Sequence, residues 1–455
     1  MNSITQKEEN NNSITQNLQI FCKHFGLYKL LGRFGANKTK GIDFKQVFDF
    51  LMTLVFTGKN LYRTTQTNEK QLSKDTIYRF LNNAYIHWEK ILMLMSVSVI
   101  QKLRKLTGDN RLTAIVIDDS PYSRNRSKKV ELLSKVYDHV YHKYFMGFRM
   151  LTLGFTDGNT FIPFASQLMA SENTKNPANK TIDSRTLAAR RRKNAEKTIP
   201  DRLYELLKTA KSMMIPAKHV LFDSWFSNPI TLITVKSIGY NCVAMLKKNK
   251  TRYLFNEKTL TLAQIFNTLK KRPGKSKYIA SAMVNVIHSD TNQSIKAKIV
   301  FVRDKNNKKN WCAIISTDVF LSEDEIIRLY GKRWDIEVFF KMCKSYLKLA
   351  KEFEGRSYDM MTAHTAIVFI RYMSLAWTQR ENEDPRCFGE LFYLVHDELQ
   401  DISFAKAFDL IISLLVDSLR DFLFLSDSKI YEFLDSFFAK LPPFYGNLRL
   451  NSCES

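Results

Sequence analysis

Three carboxylates in this sequence stand where a fold could bring them together: Asp118 at the end of TAIVID, Asp223 at the end of HVLFD, and Glu337 in the helical stretch 330–344. Carboxylates that converge without basic neighbours repel one another, so they need a cation. Carboxylate oxygens are the ligands that Mg²⁺ and Mn²⁺ prefer, and two such ions about 4 Å apart can activate one oxygen and stabilise another at a phosphodiester. The set therefore predicts metal-assisted phosphoryl transfer.

Two strands and a helix must position these residues. The β-branched run 111–120 predicts a buried strand that ends at its two aspartates, and the run 219–223 predicts a second one. Strand ends in an α/β sheet open into one shared crevice, so both aspartates are expected there. Because a single aspartate at a strand end is more often a turn or cap residue, the prediction rests on the combination with the helix.

Four side chains share one face of the predicted helix: Tyr330, Arg333, Glu337 and Lys344. At about 100° per residue they fall within a stripe about 60° wide. Its guanidinium, ammonium and phenol groups could grip a DNA backbone on either side of the carboxylate. Lys341, about 40° from Glu337, is a further candidate for DNA binding, whereas Lys332 points elsewhere and is expected to be solvated. The alternative for such a charge run is a solvated helix face.

The composition favours a polyanionic partner. The 455 residues include 69 Lys and Arg against 45 Asp and Glu, a net charge of +24, so nucleic acid is the first candidate partner and an anionic membrane surface the second. The cysteines are widely separated and form no zinc pattern, which suits a reducing compartment. No secretory signal is visible, and the apolar window 365–377 is interrupted by Arg371 and is shorter than the roughly 20 residues of a membrane span. A soluble cytoplasmic protein is expected.

Composition and periodicity divide the chain into four parts. Residues 1–16 are polar and predict a disordered tail, and 17–108 have helical spacing. Residues 109–350 mix strands and helices, with strand-like pieces at about 250–320, and 351–455 are helical and suited to self-association. Within 148–169, two strands are predicted on either side of an Asp-Gly turn.

The helical region 17–108 is a candidate DNA-binding region. Ser73 is a plausible N-cap, and the residues expected to be exposed on the following turns are Thr76, Tyr78, Arg79 and Asn82. Such a segment could be the recognition helix of a helix-turn-helix, although an ordinary capped helix is the more frequent explanation. The basic stretch 171–200 is predicted to be either a solvated loop or a basic arm.

The spacing Y-x2-R-x3-E-x6-K, read from Tyr330, Arg333, Glu337 and Lys344, resembles the signature of bacterial insertion-sequence transposases of the family numbered four, a branch of the DDE transposases. IDDS and LFDSWFSN also look like that family's two aspartate motifs, so the resemblance runs in order from about 110 to 350. It implies an α/β, ribonuclease H-like catalytic core, a mixed sheet flanked by helices. A β-rich insertion between Asp223 and Glu337 and helical N- and C-terminal regions complete the expected architecture.

The resemblance also implies an activity. The expected enzyme binds the ends of its insertion sequence and cleaves DNA with two Mg²⁺ or Mn²⁺ ions held by Asp118, Asp223 and Glu337. It then joins the 3′ ends to target DNA in cut-and-paste transposition. The expected partners are double-stranded DNA and a second copy of the chain in a synaptic complex, and the expected location is the bacterial nucleoid.

Several alternatives stay open at this point. Asp119 could replace Asp118 as first ligand, although the family's Asp-x-Ser/Thr pattern favours Asp118 with Ser120. Trp311 could stack on a flipped DNA base or be a core residue. The basic runs 247–252 and 270–277 could track DNA or be solvated loops. For the whole chain, the alternatives are a ribonuclease H-like nuclease without strand transfer and a catalytically inactive DNA-binding regulator.

Overall fold

The chain divides into two units, residues 18–55 with 59–389 and residues 1–17 with 56–58 and 390–455. The larger unit holds the described strands and the candidate site residues. The computed structural model describes residues 14–37, 40–57, 61, 72–106, 111–138, 142–171, 176–178, 181–274, 276–288, 291–303, 310–353, 355–381, 415–416, 419 and 426–439.

The described strands are β1 Ala114–Ser123, β2 Ser134–Asp138, β3 Lys143–Thr156, β4 Phe161–Met169, β5 His219–Phe222, β6 Asn241–Leu246, β7 Arg252–Phe255, β8 Lys258–Thr261, β9 Ala280–Ile287, β10 Ser294–Arg303 and β11 Trp311–Ser316. The described α-helices are α1 Ile14–His24, α2 Leu27–Leu31, α3 Phe44–Leu54, α4 Lys74–Leu81, α5 Trp88–Lys105, α6 Leu187–Ala195, α7 Ile199–Ser212, α8 Pro229–Ile238, α9 Leu262–Thr268, α10 Glu323–Gly331, α11 Trp334–Ser345, α12 Tyr358–Glu381 and α13 Asp427–Ala439.

Five strands form the centre of the sheet in the order β4-β3-β1-β5-β6. β3 is antiparallel to β1 and β4, whereas β5 is parallel to both β1 and β6. Helices α5 and α12 pack on β4, and α11 packs on β1. This mixed sheet flanked by helices is the ribonuclease H-like α/β core, and the predicted fold class is confirmed.

The strand β1 is longer than the sequence predicted. Ala114 to Ile117 are fully buried, as expected for a strand inside a covered sheet. The strand does not end at the aspartates, because its pairing with β3 continues from Asp118↔Thr152 to Ser123↔Gly147. The predicted strands on either side of the Asp157-Gly158 turn are present as β3 and β4.

The strand-like stretch at about 250–320 continues the same sheet. β11 is antiparallel to β6, and the order then runs β11-β10-β9-β7-β8. Helix α9 lies within this stretch, and its N-terminus is a capping box in which Thr261 and Gln264 bond reciprocally. The insertion is thus hydrogen-bonded to the core through the edge of β6.

Helix α4 begins where the sequence predicted. The Ser73 hydroxyl accepts from the Thr76 amide at 3.2 Å, which is an N-cap bond. Thr76 itself is buried, so its predicted exposure is wrong, whereas Arg79 and Asn82 are exposed. Residues 62–71, which precede α4, lie outside the described residues. So does most of the predicted tail, residues 1–13; residues 14–16 belong to helix α1.

The basic stretch 171–200 is neither a simple loop nor a free arm, because it contains α6. Arg192 is 5% exposed, and its guanidinium pairs with Glu131 at 2.6 Å and with Asp359 at 2.9 Å. Arg191 pairs with Asp359 as well. These two arginines neutralise buried carboxylates, since an unpaired buried charge is costly.

The arginine that interrupts the apolar window 365–377 is fully buried in α12. Arg371 donates to Glu352 at 2.7 and 2.9 Å and to the Leu51 carbonyl. His364 Nε2 lies 3.1 Å from the same carboxylate. Although burial opposes it, these two neighbours hold the pKa of Glu352 below its usual range. Among the described residues, no helix is long and apolar enough to cross a membrane.

We expect Glu352→Ala to destabilise the protein by about 3–5 kcal/mol, because it leaves the Arg371 guanidinium buried without its counter-charge. Urea unfolding followed by circular dichroism measures the change. The control is Glu381→Ala, an exposed glutamate at the end of α12, the helix that carries Arg371, and it should change stability by no more than about 0.5 kcal/mol. Equal effects of the two substitutions would contradict the structural role of the pair.

Candidate active site

The parallel register of β1 and β5 brings two of the predicted carboxylates to one level. Val116 pairs with Leu221, and Asp118 and Asp223 each come two residues later, where β5 has ended. Asp223 closes a turn in which its Oδ1 accepts from the Trp225 amide at 2.8 Å. Asp118 stays within β1 and is 9% exposed.

The sequence predicted one helix over 330–344, and this prediction is wrong. Helix α10 ends at Gly331 and α11 begins at Trp334. Between them, the amides of Lys332 and Arg333 bond three residues back, to Leu329 and Tyr330, and such bonds tighten the chain. One helical wheel therefore does not describe the stretch.

Helix α11 turns Glu337 towards the aspartates because its other face is anchored in the core. Phe339 is fully buried, and its ring centroid lies 5.0 Å from that of Phe161 on β4 and 4.8 Å from that of Phe369 on α12. Each such aromatic pair adds about 0.5–1.5 kcal/mol beyond the area it buries. Glu337, two residues away, remains partly exposed, with 39% of its side chain accessible.

Arg333 joins two of the carboxylates. Its Nη1 lies 3.4 Å from Asp118 Oδ2 and 3.2 Å from Glu337 Oε1. Burial raises the pKa of Asp118 from 3.8 to about 8, and the negative charges of Glu337, Asp119 and Asp223 add to the rise while Arg333 opposes it. The carboxylates are therefore close enough to repel one another, and one guanidinium partly offsets that repulsion.

Asp119 has a different partner. It forms an ion pair with Arg149 of β3, whose guanidinium lies 4.9 Å from the ring centroid of Trp225. Sequence reasoning missed both Arg149 and Trp225. The available signals were the lone arginine in an apolar strand and the position of Trp225 two residues after Asp223.

The remaining signature residues lie around the same carboxylates. Lys344 Nζ donates to Ser120 Oγ at 2.5 Å, and Lys341 is exposed at the cleft. Tyr330 is half-buried, and burial raises its pKa to about 12, with Arg333 opposing and Asp223 adding to the rise. The prediction that Lys332 is solvated is wrong, because its Nζ donates to the carbonyls of Leu112 and Asp157.

Trp311 lies in the insertion, at the start of β11. Its ring stacks on Phe266 at 4.7 Å, and Lys248 Nζ lies 4.0 Å from its centroid. The residue is partly exposed. Both predicted roles, base stacking and core packing, are compatible with this position.

The carboxylates line a cleft of about 670 Å³. Five basic side chains line it alongside the carboxylates, and such side chains can contact the phosphates of a nucleic acid. They are Arg149, Lys247, Arg333, Lys341 and Lys344.

Comparison with known proteins agrees with this arrangement. The family described as DDE superfamily endonuclease matches residues 50–263. The match supports a DDE transposase-like protein. It covers Asp118 and Asp223 and ends before Glu337, and it indicates an enzyme of the nuclease or transposase type that acts on DNA. No curated protein matches the chain.

The donor set suits a hard divalent cation, because the described lining of the cleft includes five carboxylates, the three candidates with Asp119 and Asp138, and no sulfur or imidazole. Endonucleases of this superfamily generally use divalent metals. Within the ranges the structure describes, however, no three Asp, Glu, His or Cys residues are grouped closely enough to hold a metal. Arg333 lies between two of the candidate ligands. The chemistry of the set fits a metal, while its present spacing fits a guanidinium.

We expect Asp118→Asn to stabilise the metal-free protein at high pH. Because the pKa of Asp118 is about 8 in the folded state and 3.8 ordinarily, the folded state binds more protons between these values, and its stability falls as the pH rises through them. Above pH 8 the substitution should raise the apparent Tm by about 2 °C or more. Near pH 3.8 the two proteins should agree.

Thermal shift in EDTA across this pH range measures the difference. Asp75→Asn, which changes an exposed carboxylate on α4, is the control. A wild-type curve with the same pH dependence as that of Asp118→Asn would refute the prediction.

Proposed function

We propose that this protein is a transposase that binds the ends of its insertion sequence, cleaves them by metal-assisted hydrolysis and joins the 3′ ends to target DNA. The observation that carries the proposal is the convergence of Asp118, Asp223 and Glu337 in one cleft that basic side chains also line. The resemblance of Tyr330, Arg333, Glu337 and Lys344 to the signature of insertion sequence family 4 is the reason for proposing strand transfer in addition to cutting. Phosphoryl transfer of this kind needs no protein nucleophile.

Within this proposal, Asp118, Asp223 and Glu337 are the catalytic metal ligands for Mg²⁺ or Mn²⁺. Asp118 is preferred to Asp119 as first ligand, because Asp119 is already neutralised by Arg149, whereas Asp118 shares Arg333 with Glu337. When bound, the cation would stabilise the charge that develops on the phosphodiester oxygens.

The cations around the carboxylates would hold the DNA backbone. Arg333 is suited to a bidentate phosphate contact, Lys341 and Lys344 act as point charges, and Tyr330 offers a hydroxyl. Trp311 is a partly exposed residue beside Lys248 and is suited to stack on an unpaired base. Two copies of the chain would act together, since transposition requires both ends of the element.

A strand-transfer assay tests the proposed function. The DNA that flanks the coding sequence should contain short inverted repeats, and these supply the substrate. A pre-cleaved repeat end, a target plasmid and Mg²⁺ should give a joined product. Cutting without joining would support a nuclease instead, and binding with neither reaction would support a DNA-binding regulator.

We expect Asp223→Ala and Glu337→Ala each to reduce cleavage at least about a thousandfold, because a lost ligand removes several kcal/mol of charge stabilisation. End binding should stay within about threefold, because the phosphate contacts remain. Gel cleavage and mobility-shift assays measure the two effects. Asp324→Ala, an exposed carboxylate on α10, should leave both unchanged, and normal cleavage in either site variant would exclude that residue as a ligand.

A further inference from the structure

One nitrogen of Arg333 contacts two of the proposed metal ligands at once. Nη1 lies within 3.4 Å of both Asp118 Oδ2 and Glu337 Oε1. The guanidinium is mostly enclosed, with 18% of its side chain accessible. The carboxylates thus have a cation of their own, supplied by the chain.

The Arg333 guanidinium in this position and a divalent cation exclude each other. Both are positively charged and both would bind the same carboxylate oxygens of Asp118 and Glu337, so they would repel at close range. The contact can also be broken, because Arg333 lies between α10 and α11. Its backbone amide makes the turn there, and its side chain is not needed for the turn. A long arginine side chain can leave the carboxylates without moving either helix.

We propose that Arg333 substitutes for the divalent cation in the metal-free protein, and that metal loading frees its guanidinium to bind a DNA phosphate. The inference rests on the proposed function, since it takes Asp118 and Glu337 as ligands. The inference adds a regulatory step to the proposed function. Grip on the DNA backbone and loading of the metal become linked, so each strengthens the other.

The rival explanation is a permanent strut. If Arg333 only held the two carboxylates in position for the metal, its removal would weaken metal binding, because the ligands would move apart. If Arg333 occupies the cation position, its removal strengthens metal binding. The two explanations differ in the sign of one measurable change.

Mn²⁺ binding to the full chain without DNA, followed by the electron paramagnetic resonance signal of free Mn²⁺, makes this measurement. We expect Arg333→Gln to tighten Mn²⁺ binding at least about fivefold, the lower range of coupling between linked sites. Lys341→Gln is the matched control, because it removes one positive charge from the same cleft. Among the described residues Lys341 makes no ion pair with the carboxylates, and its substitution should tighten binding by less than about twofold.

Unchanged or weaker binding in Arg333→Gln would overturn the inference, as would equal tightening in Lys341→Gln. Arg333→Lys, which keeps the charge and is the safer variant for folding, should bind Mn²⁺ with an affinity between those of wild type and Arg333→Gln. No saturable Mn²⁺ binding in any folded variant would instead refute the metal ligands of the proposed function.

A second readout uses a labelled DNA duplex and Ca²⁺ in place of the catalytic metal. Ca²⁺ should raise duplex affinity in the wild type relative to EDTA, because it frees the guanidinium. The gain should be lost in Arg333→Gln and kept in Lys341→Gln. An equal gain in all three proteins would overturn the linkage between metal loading and DNA binding.

Discussion

Carboxylates of like charge must be held together against their own repulsion, and the cleft depends on how the chain achieves this. Parallel register brings Asp118 and Asp223 to one level of the sheet. The buried ring of Phe339 holds the helix that carries Glu337. The core supplies the free energy for this arrangement, and Arg333 offsets part of the electrostatic cost. Stability and reactivity are therefore opposed at this site, as is common where charges are concentrated.

Local patterns in the sequence were sufficient for much of the core. Apolar β-branched runs predicted β1 and β5, because central strands are buried on both faces. The Asp-Gly turn predicted the junction of β3 and β4, and Ser73 predicted the start of α4. The order of the central strands was beyond such patterns, since it depends on pairing between distant segments. The resemblance implied a mixed sheet flanked by helices, and the structure supplies the order of its strands.

The predictions that were wrong, or that the sequence could not make, depend on long-range contacts. The 330–344 wheel assumed a continuous helix, but the chain tightens at Lys332, whose side chain is drawn to the carbonyls of Leu112 and Asp157. Arg192 looked like part of a basic arm until Glu131 came beside it. Arg149 lies close to Asp119 because β1 continues past its aspartates and stays paired with β3. The spacing of apolar residues in the sequence does not predict this pairing.

The joint between the core and its insertion is a β-ladder and not a linker. Four residue pairs, from Ala313↔Leu246 to Ser316↔Val243, join β11 to β6, and rotation about this joint would break their backbone hydrogen bonds. Trp311 opens β11, and Asp223 follows β5, the other neighbour of β6. The sheet thus fixes the distance between the carboxylates and Trp311. Under the proposed function, a DNA end that contacts both would have to match a distance that the sheet sets.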